Sequence, residues 1–294
     1  MKPAPFTYHA PKTLDEAVGL LATHGYDAKI LAGGQSLIPT MNFRLAQPSV
    51  LIDLNGVLDL ASIRPGNDGG VRIGAMSRHA QVEHSPVVAE RAPLIHEAMP
   101  LIAHPQIRNR GTFGGSIAHA DPASELPAVL LTLQGRVQAR SQRGLRWIEA
   151  DDFFLGLFTT ALEPDELLTE VAFLPLPPRS GWSVQEVSRR HGDYALVGAA
   201  ALVELDAAGV CQAARLTFFG VGDGPVAAKE AAAALKGARP GPDSIAQAAE
   251  LASTVDVDPN SDIHATPAYR RHLARVLGGR VLTTAFARAQ GRGA

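Results

Sequence analysis

Apolar positions in the first third of the chain alternate between helical spacing and short unbroken runs. Ala17, Leu20 and Leu21 follow Thr13-Leu-Asp-Glu16, a capping-box spelling, and share one face of a helix that Gly25 stops. The run Lys29–Ala32 predicts a short buried strand ended by Gly33-Gly34, where the backbone needs positive φ or close approach to a ligand. Gln35 and Ser36 then open a helical segment to about Arg44. Val50–Leu54 reads as a second strand. Ile63 and Val71–Ile73 flank Pro65-Gly-Asn-Asp-Gly-Gly70, whose turn residues predict a hairpin. From Ser77 to Ala103 the spacing is helical in short pieces, broken at Pro86, Pro93 and Pro100.

Further on, Asp121 predicts a helix cap with Pro122 at the first helical position, and Leu126, Val129, Leu130 and Leu133 continue that helix. Strands flank Ser141–Gly144, and Leu167–Leu174 makes another. Pro175, Pro177 and Pro178, followed by Ser180-Gly181, can continue neither ladder nor helix and mark a domain boundary. Beyond it come strands at Ser183–Arg189, Ala195–Leu205 and Ala213–Val221. Helices follow at Val226–Lys236, Ser244–Ser253 and Thr266–Gln290. Strands followed by helices predict an α+β domain.

At 294 residues the chain exceeds usual single-domain size, so two domains are expected. With 27 basic and 29 acidic residues the net charge is -2, which provides no field for nucleic acid. The single cysteine, Cys211, excludes an internal disulfide and cannot alone hold an iron–sulfur cluster, so any such cluster sits on another chain. The start lacks an apolar signal core, and no stretch approaches the roughly 20 apolar residues of a membrane span. A cytoplasmic protein is expected.

Two glycine pairs carry the candidate chemistry. Gly33-Gly34 is followed by Ser36, and Gly114-Gly115 lies between Thr112 and Ser116. Glycine pairs let consecutive amides face an anion with no side chain in the way. Neither ends in the Gly-Lys-Ser/Thr of a nucleotide-hydrolysing loop, so both suit holding a diphosphate rather than transferring a phosphoryl group. Each alone reads equally as an ordinary turn. Arg108 and Arg110 add charge or are plain surface residues. Gly220-Val-Gly-Asp-Gly224 mimics a dinucleotide fingerprint but lacks its final glycine and reads as a turn before Pro225. Asp121 reads as a cap, whereas Glu125 either complements a helix dipole or accepts a ligand hydroxyl. His79, His84, His96, His104 and His119 show no metal-ligand spacing, and no metal is expected. Ser36 lacks a nucleophile elbow. Tyr194 suits stacking on a planar ring, or a core position.

Ala32-Gly-Gly-Gln-Ser36, Arg110-Gly-Thr-Phe-Gly-Gly-Ser116, Ala120-Asp-Pro-Ala-Ser-Glu-Leu126 and Arg189-Arg-His-Gly-Asp-Tyr194 together resemble the flavin subunit of molybdenum hydroxylases. Its members include carbon monoxide dehydrogenase medium subunits and the xanthine dehydrogenase flavin domain. The resemblance runs from Phe6 to about Gln290. It implies an FAD-binding domain over residues 1–176, of PCMH type, with subdomains of about 1–55 and 62–176. A C-terminal α+β domain at 181–290, with a three-stranded antiparallel sheet and a helical bundle, follows. The resemblance also implies noncovalent FAD whose diphosphate lies between Leu31, Ala32, Gly33, Gly34, Gln35, Ser36 and Leu37 on one side and Gly111, Thr112, Phe113, Gly114, Gly115 and Ser116 on the other. Glu125 then contacts the ribose or adenosine side, Leu168 lies beside the flavin, and Tyr194 lies against the isoalloxazine. Relatives usually carry a lysine near Glu186; here Gln185-Glu186 stand instead. No residue is implied as a catalytic acid or base. A small subunit with two [2Fe-2S] clusters and a large molybdopterin subunit are the implied partners, in a dimer of heterotrimers. The competing expectations are a self-sufficient flavin oxidase or reductase of the same fold, and a non-enzymatic nucleotide-binding module.

Overall fold

Thr13 accepts from the Glu16 amide at 3.2 Å and the Glu16 carboxylate accepts from the Thr13 amide, so the predicted capping box starts the helix Leu14–His24. That helix buries Ala17, Val18 and Leu21 over a parallel three-stranded sheet, ordered Thr7–His9, Val50–Asp53, Ala28–Leu31. Parallel register pairs Leu31 with Asp53, so the chain leaves both strands at one edge of the sheet. The Gly33-Gly34 turn and the Asp53–Asn55 turn therefore lie side by side. The structure, a computed structural model, describes residues 1–291.

A second, antiparallel sheet runs Ile63–Pro65, Val71–Gly74, Leu167–Phe173, Arg136–Ser141, Gly144–Glu149. Its Val71, Ile73, Val137, Val171 and Phe173 form one core with Phe113 and Ile117 of the helix Phe113–His119 and Leu126 and Leu130 of the helix Glu125–Thr132. A third antiparallel sheet runs Ser180–Ser188, Ala195–Leu205, Cys211–Phe219, Val226–Ala227. The long helix Pro267–Ala289 covers it, burying Leu277, Val281 and Phe286. Every residue of Glu125–Thr132 is buried, because Ala128 meets Ala195 and Phe219 of the third sheet while Leu126 and Leu130 enter the core of the second. A helix apolar on all sides belongs between two layers.

The α+β architecture is as expected, with local corrections. The third sheet has four strands, since Val226–Ala227 pairs with Thr217 and Phe218 before the helix begins at Lys229. Asp121-Pro122 does not open a helix: Asp121 Oδ1 accepts from the Ala123 amide at 2.9 Å in a tight turn, and Ser124 stands at the cap of the helix that starts at Glu125. The helical stretch after Gly34 is shorter, Leu37–Asn42. No described helix is long and apolar enough to cross a membrane.

Candidate nucleotide-binding cleft

Gly33 and Gly34 turn the chain at the end of Ala28–Leu31 and feed the helix Leu37–Asn42. Gly34 has φ +74, which an L side chain adopts only with strain. Gly33 is needed for another reason: a Cβ there would stand 2.5 Å from the Arg110 carbonyl oxygen and 2.7 Å from Gly111 Cα. The two glycine-rich stretches thus touch backbone to backbone. Along the first, none of the amides of Gly33, Gly34, Gln35, Ser36 and Leu37 donates to an acceptor among the described residues. Five consecutive free donors on an open surface form a concave anion acceptor. They border a cleft of about 350 Å³ whose lining includes Leu31, Asp53, Asn55 and Arg110. The Gln35 side-chain amide is not part of that offer, since its Nε2 donates to the Gly33 carbonyl at 3.1 Å.

A polar network holds the turn in place. Asn55 Nδ2 donates to the Ala32 carbonyl at 3.1 Å, and Asp53 Oδ1 accepts from the Asn55 amide at 2.8 Å. Arg78 donates to both the Asn55 side chain and the Arg110 carbonyl, tying the first stretch to the second. Tyr8 donates to Asp53 at 2.5 Å. Burial pushes the Asp53 pKa up, but hydrogen bonds from Tyr8 and Asn55 outweigh it and leave the carboxyl below its usual range. Asp53 is therefore an anion fixed as a brace, with its oxygens already occupied.

The second stretch differs from the expected loop. Phe113–His119 is a helix whose N-cap, Thr112, accepts from the Gly115 amide at 3.2 Å. Gly111, Phe113, Gly114 and Ser116 donate to Ile107, Ser77, Ala75 and Thr112 carbonyls. Those amides are already paired, so the first stretch offers a row of amides, whereas the second offers the Thr112 amide, the Ser116 hydroxyl and a packing wall. Gly114 has a packing duty, because a Cβ there would lie 2.6 Å from Ala75. Phe113 is core, edge-on to Phe173 with ring centroids 6.2 Å apart. His79 supports this stretch from below. Its Nε2 lies 2.9 Å from the Thr112 carbonyl, so the proton belongs there, and burial lowers its pKa to about 4. His79 is a neutral spacer rather than a ligand.

The remaining expected site residues divide. Leu168 is 5% exposed within the core under the second sheet, so its side chain faces the interior rather than the cleft. Tyr194 is 61% exposed, on the loop before Ala195–Leu205. Its phenol pKa is raised by partial desolvation and by Asp121 and Glu125, against an opposing contribution from the Ser36 hydroxyl. Tyr194, Ser36, Asp121 and Glu125 therefore share one neighbourhood, although they come from separate loops and a helix start. Glu125 is buried, and burial, with Asp121 adding repulsion, raises its pKa to about 7. Asn55 and Arg78 were not found from sequence. Asp53-x-Asn55 after a strand is an Asx-turn spelling that could have signalled the brace; Arg78 has no such signal.

Comparison with known proteins fits this geometry. Residues 4–177 match the model of the FAD binding domain in molybdopterin dehydrogenase, and residues 182–285 match the CO dehydrogenase flavoprotein C-terminal domain. The 6-hydroxypseudooxynicotine dehydrogenase complex subunit alpha of Paenarthrobacter nicotinovorans is 44% identical over 99% of this chain and 97% of its own. The carbon monoxide dehydrogenase medium chain of Hydrogenophaga pseudoflava is 36% identical over 98% of this chain and 99% of its own. A solved carbon monoxide dehydrogenase from the same organism superposes with a TM-score of 0.94 at 38% identity, covering 98% of this chain and 99% of that one. A quinoline 2-oxidoreductase from Pseudomonas putida 86 superposes with a TM-score of 0.91 at 40% identity, over 99% of both chains.

Proposed function

Since the chain belongs to the family of FAD-binding medium subunits of molybdenum hydroxylases, we propose that it is the electron exit of such an enzyme. Electrons from [2Fe-2S] clusters of a small partner subunit reach FAD on this chain and pass to an external acceptor. A large molybdenum-bearing subunit oxidises the substrate, and the assembly is a dimer of heterotrimers in the cytoplasm.

The observation that carries the reading is the run of free amides from Gly33 to Leu37, held against Arg110-Gly111 with no Cβ between them. A diphosphate fits this donor set: it is an anion needing several donors on a concave surface. Ser36 and Ser116 add hydroxyl donors, while Arg110 supplies positive charge at the cleft lining. Glu125 would accept a sugar hydroxyl, and the exposed ring of Tyr194 would cover the flavin plane. When bound, FAD supplies the two-electron chemistry that side chains lack. The chain's own part is to bind, orient and shield. Asn55 and Arg78 keep the amide row in register, and Tyr194 closes the exposed side. Lone, buried Cys211, whose thiol burial pushes up to about 11, is no redox centre of its own.

The test is reconstitution. Full-length chain purified without flavin should take up one FAD and then be bleached anaerobically on mixing with the reduced iron–sulfur subunit. Failure to take up FAD would refute the site. Bleaching by a small substrate without partner subunits would replace the electron-exit role with that of a self-sufficient oxidase or reductase.

A further inference from the structure

Gly220-Val-Gly-Asp-Gly224 connects the antiparallel strands Cys211–Phe219 and Val226–Ala227, so it is not the strand-to-helix turn of a dinucleotide fingerprint. Its first glycine has another duty. Gly220 has φ +77, and a Cβ there would stand 2.7 Å from the Leu196 carbonyl oxygen. The Gly220 amide donates to the Pro122 carbonyl at 2.7 Å, which ties the third sheet to the turn before Glu125. Leu196 is itself an irregular point. Ser188 pairs with Ala195 and Val187 with Val197, so Leu196 is the extra residue of a β-bulge. It has no partner in the ladder to Cys211–Phe219 either, where pairing starts at Gly198. A bulge bends its strand and re-aims the side chains around it. Tyr194 stands two residues before this one.

One buried side chain holds the bulge. Arg270, in the first turn of the helix Pro267–Ala289, donates from Nη1 to the Leu196 carbonyl and, at 2.8 Å, to the Gly220 carbonyl. Its Nη2 donates to Asp262 at 2.6 Å, while Nε is buried with no partner among the described residues. An apolar side chain would fill the space between helix and sheet without burying a charge and an unpaired donor. What the planar guanidinium adds is a fixed relation between two backbone carbonyls and an anion. Building on the FAD reading above, we propose that Arg270 is a positioning residue for Tyr194. By pinning the Leu196 bulge against Gly220 it sets where the strand Ala195–Leu205 begins, and so where the Tyr194 ring stands over the cleft. Arg270 touches no ligand and acts through the backbone.

The experiment compares flavin fluorescence and visible circular dichroism in FAD-loaded full-length chains carrying Arg270→Lys, Tyr194→Ala or both. Lysine keeps the charge but cannot reach both carbonyls and Asp262 at once. Arg270→Lys should shift both signals toward those of Tyr194→Ala and weaken FAD binding by about 2- to 10-fold, with no further change in the double variant. An arginine that only stabilises the fold would lower the unfolding midpoint, leave the flavin signals of the folded protein unchanged and add its effect to that of Tyr194→Ala. Asp262→Asn serves where Arg270→Lys does not fold. Its side chain is 46% exposed, and it keeps an acceptor for the His264 and Ala265 amides while losing the charge that meets Arg270. It should move the flavin signals in the same direction and, in the flavin-free chain, quicken amide exchange across Ala195–Gly198. Wild-type flavin signals in folded Arg270→Lys, or in Asp262→Asn where the first variant does not fold, would overturn the inference and leave the FAD site standing. No FAD binding by the wild type would overturn both.

Discussion

Replacing Gly33 with valine tests whether the touching backbones form the anion site. The new Cβ would stand 2.5 Å from the Arg110 carbonyl oxygen and 2.7 Å from Gly111 Cα. Heavy-atom contacts settle near about 3.5 Å, so the two stretches must separate by roughly 1 Å. The turn cannot yield freely, because Asn55 pins the Ala32 carbonyl at 3.1 Å and Arg78 pins Arg110. Such a shift would take amides out of reach of a bound diphosphate. Each hydrogen bond to a charged group contributes about 1.5–3 kcal/mol, so two lost bonds cost roughly 3–6 kcal/mol. That weakens FAD binding by about 10²–10⁴-fold. The three cores are untouched, so the flavin-free variant should keep a cooperative thermal transition. Quenching of flavin fluorescence on titration of flavin-free chain measures the affinity. Gly224→Ala is the control, since nothing lies within 4 Å of a Cβ there. Wild-type affinity in the folded Gly33→Val variant would refute the assignment.

Three further outcomes are expected. Asn55→Ala removes the brace on the Ala32 carbonyl and should weaken FAD binding by about 5- to 30-fold, corresponding to roughly 1–2 kcal/mol, read by the same titration. Thr112→Ala removes the cap accepted by Gly115 and should cost about 0.5–2 kcal/mol of stability in denaturant unfolding. His79 has a folded pKa of about 4 against an ordinary 6.5, so between those values the unfolded chain binds the extra proton. The stability from keeping it neutral is complete above about pH 6.5 and falls by up to roughly 3 kcal/mol as pH drops through about 4; His79→Gln should flatten that slope in urea unfolding.

The turn at Gly33-Gly34 was legible because a glycine pair ends a strand, and the hairpin around Gly66–Gly70 because its turn residues are redundant. Gly114-Gly115 was misread as a matching loop. Its spelling is the same, but Thr112 caps a helix there and Gly114 makes room for Ala75, a demand set by a strand nearly forty residues upstream. Asp121-Pro122 likewise spells a helix start, yet the Asx turn to Ala123 forms instead and Ser124 takes the cap. Leu168 was assigned to the ligand by motif position; its strand is buried on both faces around a bulge before Glu170, and its side chain lies in the core. Glu186 stood out in the sequence only as a departure from the lysine of relatives; that its Oε2 is buried without a hydrogen-bond partner among the described residues depends on tertiary packing.

The FAD site proposed above draws on segments beside all three sheets. The amide row leaves the parallel sheet, Ser116 stands on a helix over the second, and Tyr194 precedes the strand Ala195–Leu205 of the third. A ligand held by all of them would add to the joints between these units, which include the helix Glu125–Thr132 and the Arg288–Glu97 ion pair. Ligand free at about 100 times its Kd stabilises the folded state by about 2.7 kcal/mol. Because that helix belongs to both adjoining cores, that stabilisation should slow amide exchange in Ala195–Leu205 of the third sheet as well as around Gly33. Protection confined to the first sheet would mean that Tyr194 does not grip the ligand, and that the anion row binds it alone.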